Sequence, residues 1–203
     1  MSQYIVSVGV YLVCLLGFRP AVAQPVSDSQ ESTYDVVVYG ATPSGIAAAI
    51  NAAQYGHSVL LAEEYAQIGG LMTSGLSFTD FISYEVLGGT FLDYTQRVED
   101  YYRDKYGADS EQFAATHGGI HAEPHVTLAI FHQMVDEHPS ITTQTQWRLA
   151  DVDRSALTDS LSTIQSATFV DLANDDTLKV NGQIFIDATY EGDLAAQAGA
   201  EYW

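Results

Sequence analysis

The chain has 203 residues, which is enough for one domain with a buried core. Hydrophobic residues make up 47% of it, and this content argues against intrinsic disorder. The 26 acidic residues outnumber the 7 basic ones, which gives a net charge of −19. Because a surface of this sign repels phosphate backbones, nucleic acid is not an expected partner, and the charge is typical of a surface that keeps a protein in solution.

The first 23 residues differ from the rest and predict a signal peptide. Residues 4–18 form an almost unbroken apolar run, and residues 21–23 (Ala-Val-Ala) match an A-x-A cleavage pattern. The run is shorter than the ~20 residues of a membrane span, so we favour cleavage near Ala23 over an uncleaved anchor. We therefore expect a periplasmic or extracellular protein with no stable membrane span. Its one cysteine, Cys14, would leave with the signal.

The segment after the signal predicts one βαβ unit. Residues 24–33 are polar and predict a flexible linker. The β-branched run at residues 34–39 is typical of a buried parallel strand, and the alanine-rich residues 43–55 are typical of a helix. Gly56 ends that helix, and residues 58–62 form a second buried strand. A strand, a tight turn, a helix and a strand in this order favour an α/β fold with a parallel sheet.

The remaining residues continue this single predicted domain, which covers residues 34–203. Residues 66–80 read as a glycine-rich loop and residues 108–121 as irregular, and two helices are expected at residues 88–106 and 123–138. Strands are expected at residues 141–147, 162–172, 177–180 and 183–187, the last of them buried, and a final helix begins at Gly192. These strands predict a small β-meander inserted into a Rossmann-like fold.

Residues 40–45 (Gly-Ala-Thr-Pro-Ser-Gly) occupy the turn between the first strand and its helix, where the dinucleotide fingerprint G-x-G-x-x-G would lie. Gly40 matches the first glycine, which permits the tight turn, and Gly45 matches the third, which lets the helix pack against the strand. Thr42 replaces the middle glycine, and its hydroxyl could contact phosphate. The amino terminus of the helix supplies N–H groups for a pyrophosphate.

An acid follows the second strand, as the second half of the fingerprint requires. Glu63 lies 18 residues after Gly45. A carboxylate there accepts hydrogen bonds from ribose hydroxyls and repels a 2′-phosphate, which disfavours an NADP-type ligand. Any α/β protein can place small residues in a tight turn, but the strand, turn, helix, second strand and acid together favour nucleotide binding.

Four segments carry a resemblance to a known family: YDVVVYGATPSGIAAAINAAQYGHSVLLAEE, IGGLMTSGLSFTD, EPHV and FIDATYEGDLAAQAGA. Together they resemble the FAD-dependent oxidoreductase family that includes secreted bacterial flavoproteins, itself distantly similar to heterodisulfide reductase A-type flavoproteins. The resemblance implies an FAD/NAD(P)-binding Rossmann-like domain that is incomplete at its carboxyl end. We therefore expect the 203-residue chain alone to hold FAD weakly and to be inactive.

The resemblance also implies roles for individual residues. Around the pyrophosphate it places Gly40, Thr42, Ser44 and Gly45, and at the adenosine ribose Glu63. Close to the cofactor and flavin it places Gly69, Gly70, Thr73, Ser74 and Gly75. At the strand end that returns beside FAD it places Asp187, Ala188 and Thr189, followed by Gly192 and Asp193. The flavin would accept a hydride from a small-molecule substrate and pass its electrons to an acceptor, neither of which the sequence names.

Two other readings stay open at this stage. An NAD-dependent dehydrogenase could use the same fingerprint, and an exported nucleotide-fold module, associated with polysaccharide, could lack catalysis altogether. No catalytic base can be named. His121, Glu123 and His125 have spacing that a metal site could use, but a helix start at Glu123 with a packed histidine is the favoured interpretation, and no metal is expected.

Overall fold

A computed structural model describes residues 30–81, 83–158 and 161–201 of the chain. The predicted signal and residues 24–29 of the predicted linker lie outside these described residues. The elements in chain order are β1 (Gln30–Tyr39), α1 (Pro43–Gln54), β2 (Val59–Glu63), α2 (Gly70–Thr73), a 3-10 turn (Tyr84–Val86), α3 (Thr90–Tyr106), α4 (Glu111–Ala114), α5 (Pro124–Asp136), β3 (Ile141–Thr145), β4 (Trp147–Thr158), β5 (Leu161–Asp171), β6 (Thr177–Asp187) and α6 (Asp193–Gln197).

The strands form one sheet in the order β3-β2-β1-β6-β5-β4. Strands β3, β2, β1 and β6 are parallel neighbours, whereas β4, β5 and β6 pair antiparallel as a meander. Strand β6 therefore belongs to both parts: its first half pairs with β5, and its whole length runs beside β1. The predicted α/β class, with a Rossmann-like parallel sheet and a small β-meander, is confirmed.

Successive side chains of β1 and β2 point to opposite faces of the sheet, so the core has one part on each face. Val36 and Val38 point into a core shared with the helices, whereas Val37 and Tyr39 point to the opposite face. The helix side is filled from α1, α3 and α5, and the other side from the meander and α6. Because both faces are covered, these strands are apolar throughout, as parallel strands usually are.

The helix α1 begins and ends where its sequence requires. Pro43 occupies the first turn, where its missing N–H costs nothing, and Thr42 caps the end with its side chain. The N–H of Gly56 donates to the carbonyl of Ala53 at 2.9 Å, with a φ of +86° at the glycine. This left-handed residue turns the chain back into β2, as the sequence predicts.

One strand begins earlier than predicted, and two short helices and one further strand were not predicted. Strand β1 begins at Gln30, so the last residues of the predicted linker pair with β6, from Gln30 opposite Leu178 onwards. The predicted loop at residues 66–80 contains the short helix α2, and residues 108–121 contain α4. Strand β4 was not predicted, because its charged residues Asp151, Asp153 and Arg154 hide the strand pattern; its pairing with β5 supplies the missing stabilisation.

The prediction of a separate, buried strand at residues 183–187 is wrong in two respects. These residues continue β6 without a turn, and Ile184 is 57% exposed. Pairing with β5 stops at Asn181, opposite Ser166, so beyond that point β6 pairs only with β1 within the described residues. A strand segment with only one neighbouring strand leaves part of its apolar side chains in solvent.

Candidate functional site

A pocket of about 520 Å³ lies at the carboxyl ends of β1, β2 and β6. The carboxyl ends of parallel strands are the usual place for ligands in open α/β sheets. Its walls come from the β1–α1 turn, the segment after β2, the first turn of α2 and the segment after β6. The lining residues are Tyr39, Gly40, Thr42, Glu63, Glu64, Tyr65, Ala66, Gln67, Gly70, Leu71, Ser74, Thr189, Tyr190, Glu191 and Asp193.

The β1–α1 turn leaves no room for a side chain at either predicted glycine. Gly40 has a φ of +95°, and a Cβ there would lie 2.7 Å from the carbonyl carbon of Ala188. A Cβ on Gly45 would overlap the carbonyl oxygen of Gly40. Gly40 thus permits the tight turn and Gly45 the close approach of helix and strand, which are the structural reasons given for these positions from the sequence.

Thr42 ties this turn to the end of β6. Its hydroxyl donates to the carbonyl oxygen of Ala188 at 2.8 Å and accepts from the N–H of Gly45 at 3.3 Å. It also lies 2.9 Å from the hydroxyl of Ser44. Since Thr42 is buried and its proton is directed at Ala188, the main effect of the side chain is to fix the turn.

The start of α1 offers backbone donors. The N–H groups of Thr42 and Ser44 donate to no atom of the residues that the structure describes. Pro43 between them has no N–H, and the following N–H, of Gly45, is already taken by the cap. Unpaired N–H groups and the positive end of the helix dipole form a site for an anion.

Glu63 is 6% exposed and lies at the end of β2, next to the β1–α1 turn. Its Oε2 accepts the N–H of Ala41 at 2.7 Å, and its Oε1 accepts the N–H of Tyr65 at 2.9 Å. Burial raises the pKa of this carboxyl group, and the two backbone N–H donors oppose that shift. Each oxygen retains a further lone pair, so the carboxylate can accept hydrogen bonds from a ligand as well.

The second glycine turn, at Gly69 and Gly70, meets side chains rather than backbone. A Cβ on Gly69 would overlap the methyl group of Thr73, and a Cβ on Gly70 would overlap the hydroxyl of Tyr190. That hydroxyl accepts the N–H of Leu71 at 2.9 Å, across 119 positions of sequence. Tyr190 therefore joins the loop after β6 to the first turn of α2 at the edge of the pocket.

The strand end at Asp187 is held by its own loop. Asp187 accepts the N–H of Thr189 at 3.0 Å, the Thr189 hydroxyl at 2.7 Å and the N–H of Ala195 at 2.8 Å. Ala195 lies in the first turn of α6, so the carboxylate caps that helix, which is the structural role that the sequence already offered for it.

The structure brings part of the predicted set to the pocket. The predicted residues that line it are Gly40, Thr42, Glu63, Gly70, Ser74, Thr189 and Asp193. The others do not line it: Ser44, Gly45, Gly69, Thr73, Gly75, Asp187, Ala188 and Gly192. Sequence reasoning missed several lining residues: Tyr39, Glu64, Tyr65, Ala66, Gln67, Leu71, Tyr190 and Glu191. Nothing marks a lone exposed tyrosine as part of a site, because only the fold shows which wall it joins.

Tyr39 links the pocket to the meander. Its side chain is buried, and its hydroxyl accepts the N–H of Leu149 in β4 at 3.1 Å. Burial raises the pKa of this phenol to about 12, so it stays protonated at neutral pH. The group acts as a structural tie between β1 and β4.

His121 lines a second cleft of about 310 Å³ near the start of α5. His121 packs edge-on against Phe78 with ring centroids 4.4 Å apart, and the Tyr102 hydroxyl donates to Glu123 at 2.7 Å. Helix α5 begins next to Glu123, at Pro124, as the sequence favoured. Within residues 30–81, 83–158 and 161–201, no group of three His, Cys, Asp or Glu side chains is placed to hold a metal ion.

Comparisons with known proteins agree with this geometry. THI4 of Thermovibrio ammonificans is 16% identical with a TM-score of 0.53, over 83% of this chain and 64% of that one. Glycerol-3-phosphate dehydrogenase of Bacillus halodurans, solved with FAD, is 12% identical with a TM-score of 0.53, over 87% of this chain and 38% of that one. At such identities the likeness shows the fold alone. The chain spans less than two thirds of the length of either.

No curated protein matches the sequence. In the described part of the chain, no helix is both long enough and apolar enough to span a bilayer. The model of the FAD dependent oxidoreductase family matches residues 35–203. This match covers the βαβ unit, both glycine turns, the meander and α6. The chain belongs to the FAD dependent oxidoreductase family.

Proposed function

We propose that this protein is an FAD-dependent oxidoreductase that binds the cofactor in the pocket at the ends of β1, β2 and β6. One observation carries the proposal. The unpaired N–H groups at the start of α1 and the buried carboxylate of Glu63, which accepts the N–H of Ala41 in the same turn, lie near each other at one pocket. An anion-binding helix end and a ribose-binding acid on neighbouring strands are the two halves of a dinucleotide site.

The pyrophosphate would lie against the β1–α1 turn. Thr42 and Ser44 offer their N–H groups there, and the absence of side chains at Gly40 and Gly45 keeps the backbone within reach. Among the described residues, no lysine or arginine lines the pocket. Backbone donors and the helix dipole would therefore carry the recognition of the phosphates.

Glu63 would accept the hydroxyls of the adenosine ribose. Its carboxylate is already oriented by Ala41 and Tyr65, so little side-chain freedom is lost when the ribose binds. Three further acids line the pocket: Glu64, Glu191 and Asp193. Their charge disfavours a ligand with an additional phosphate, which supports FAD over an NADP-type cofactor.

Bound FAD would supply the acceptor for a hydride from a small organic substrate. The chain's own part is to bind and orient. Gly70 and Ser74 line the wall beyond the pyrophosphate, and the glycine leaves room for the hydroxyl of Tyr190, which a Cβ at this position would overlap. Thr189, whose hydroxyl donates to Asp187, completes the wall on the β6 side. The substrate and the electron acceptor stay open, and so does the proton-transfer group.

The identity of the cofactor tests this proposal directly. We expect FAD added to the purified protein to bind and to shift the visible absorption of the flavin, with weak affinity in the 203-residue chain alone. Glu63→Gln should bind FAD more weakly than the wild type, because a charged hydrogen bond to the ribose contributes about 1.5–3 kcal/mol. Glu85→Gln, an exposed acid away from the pocket, is the matched control. A protein that does not bind FAD and binds NAD instead would overturn the proposal.

Export is part of the same proposal. The apolar run at residues 4–18 and the Ala-Val-Ala sequence at residues 21–23 support cleavage near Ala23. We expect the tagged protein in the periplasmic or extracellular fraction, with a mature amino terminus close to Gln24. Recovery of the full-length chain, starting at Met1, from the membrane fraction would favour an uncleaved anchor.

A further inference from the structure

Tyr65 has a firmly held backbone. Its N–H donates to the Glu63 carboxylate at 2.9 Å, and its carbonyl oxygen accepts the N–H of Gln146 at 3.2 Å. Gln146 has a φ of +64° and lies between β3 and β4, so the contact joins the segment after β2 to the segment after β3. The position of Tyr65 is therefore fixed from both sides.

The side chain of Tyr65, in contrast, has no partner in the described part of the chain. It is 68% exposed, and it makes no hydrogen bond, ring contact or cation–π contact there. The other tyrosines of the pocket are engaged: the Tyr39 hydroxyl accepts from Leu149, and the Tyr190 hydroxyl accepts from Leu71. A single exposed ring is ordinary on a protein surface, but this one lines the wall of a ligand pocket.

The place of Tyr65 relative to Glu63 decides which part of a dinucleotide it meets. The Cα atoms of residues two apart lie within roughly 7 Å of each other. A base is bonded to its ribose, so a base whose ribose is held by Glu63 lies on the side of Tyr65 or on the side of the β1–α1 turn. The turn side carries the phosphate donors, which leaves the tyrosine side for the base.

We propose that the ring of Tyr65 is the stacking surface for the adenine base of the cofactor. This inference rests on the proposed dinucleotide site and names the residue that recognises the base. Gln67 is exposed on the same wall, and its amide can donate and accept within reach of a purine edge. A ring with a fixed backbone and free faces binds a base at little cost in conformational entropy.

Titration with ADP and with FAD tests this role. Tyr65→Ala should weaken the binding of both by about 5- to 150-fold, which is the range for stacking one base on one aromatic ring. Tyr65→Trp and Tyr65→Phe should retain wild-type affinity within a few-fold, because each keeps the π-face. Thermal unfolding of the ligand-free protein should change little with Tyr65→Ala, because the side chain is largely exposed and makes no hydrogen bond or ring contact with the described residues.

Tyr55→Ala is the matched control. Tyr55 is 84% exposed at the end of α1 and does not line the pocket, so its removal should leave both affinities unchanged. Wild-type ADP affinity in Tyr65→Ala would overturn the inference, and FAD binding by the wild type would still support the proposed function. Loss of ADP affinity in Tyr65→Ala, in a protein that does not bind FAD, would support the inference and overturn the proposed function.

Discussion

The pocket is bounded by two glycine turns that differ in what surrounds them. At the β1–α1 turn, a Cβ on Gly40 or Gly45 would meet backbone atoms of Ala188 or of the turn itself. At the second turn, a Cβ on Gly69 or Gly70 would meet the side chains of Thr73, Phe131 or Tyr190. Backbone atoms in a parallel sheet cannot move aside, whereas the end of a side chain can.

This difference indicates two mechanical roles. The first turn holds the N–H groups of Thr42 and Ser44 at a fixed distance from the sheet, as a rigid part of the fold. The second turn is closed by the hydrogen bond between Leu71 and Tyr190, and Tyr190 is largely exposed. We expect substitutions at the first turn to act on folding, and substitutions at the second turn to act on the local shape of the pocket.

Gly45→Ala should have the largest effect. Alanine is the better helix former by about 1 kcal/mol, but its Cβ would overlap the Gly40 carbonyl, and overpacking against backbone costs about 3 kcal/mol or more. We expect a marked fall in the free energy of unfolding, measured with urea and circular dichroism. Gly88→Ala, where no atom lies within 4 Å of the new Cβ, should change stability little. Equal stability of the two variants would contradict a rigid first turn.

Glu63→Gln should have the next largest effect, a fall of about 2 kcal/mol in the free energy of unfolding measured with urea. The amide can accept from one of the N–H groups of Ala41 and Tyr65, and it presents its own N–H₂ group to the other. A buried donor left without an acceptor costs about 1–3 kcal/mol. An unchanged urea midpoint would show that water satisfies the released N–H and that the carboxylate is not a structural tie.

The difference in stability between the wild type and Glu63→Gln should depend on pH, and the pKa of Glu63 gives the sign of that dependence. Because burial raises the pKa of Glu63 above its ordinary 4.5, the folded protein binds this proton more tightly than the unfolded chain does. The contribution of this proton to the free energy of unfolding is fully present below pH 4.5 and is lost as pH rises through the folded-state pKa of Glu63. The wild type should therefore lose stability relative to Glu63→Gln across that window. Asp35 and Glu137, whose pKa values are lowered by hydrogen bonds, stabilise the fold at higher pH and lose this effect as pH falls. Both proteins contain them, so they do not change the stability difference between the wild type and Glu63→Gln.

Gly70→Ala should have a smaller effect than Gly45→Ala. Its φ of +52° lies in the left-handed region, which costs alanine about 1–2 kcal/mol, while the hydroxyl of Tyr190 can swing away from the new Cβ. The double variant Gly70→Ala/Tyr190→Phe should recover the steric part of the loss. A loss as large as that of Gly45→Ala, with no recovery, would show that the second turn is equally rigid.

Tyr190→Phe alone should have the smallest effect on global stability, about 0.5 kcal/mol, since the hydrogen bond that it removes is exposed. Its signature is local: amide hydrogen exchange at Leu71 should become faster, while exchange at Val37 in the core of β1 should stay slow. Unchanged exchange at Leu71 would mean that Tyr190 does not close the second turn in solution.

The βαβ unit could be predicted closely because its signals are local. The apolar run of β1, the small residues of the turn and the acid after β2 each depend on neighbours in sequence. Helix α5 was predicted for the same reason, from apolar positions such as Val126, Ile130 and Met134 at helical spacing. The role of Asp187 as a helix cap also followed from its place after a strand and before a helix.

The missed features depend on contacts between distant residues. Nothing in the sequence shows that the Thr42 hydroxyl is directed at Ala188, or that Tyr190 reaches Leu71. Strand β4 is stabilised by pairing with β5 rather than by its own composition. The exposure of Ile184 follows from where β5 stops pairing with β6. In each case the decisive partner is set by the topology of the sheet.

The hydrogen bond from Thr42 to Ala188, across 146 positions of sequence, has a consequence for the order of assembly. The β1–α1 turn lies near the start of the described residues, whereas β6, which braces it, follows β4 and β5. Contacts of such separation form late, because a long loop must close first. A chain in which β6 has not yet paired with β1 has the fingerprint sequence without the pocket wall that follows β6. Binding of a ligand in this pocket therefore requires the meander, and such a ligand would favour the folded chain over one in which β6 is unpaired.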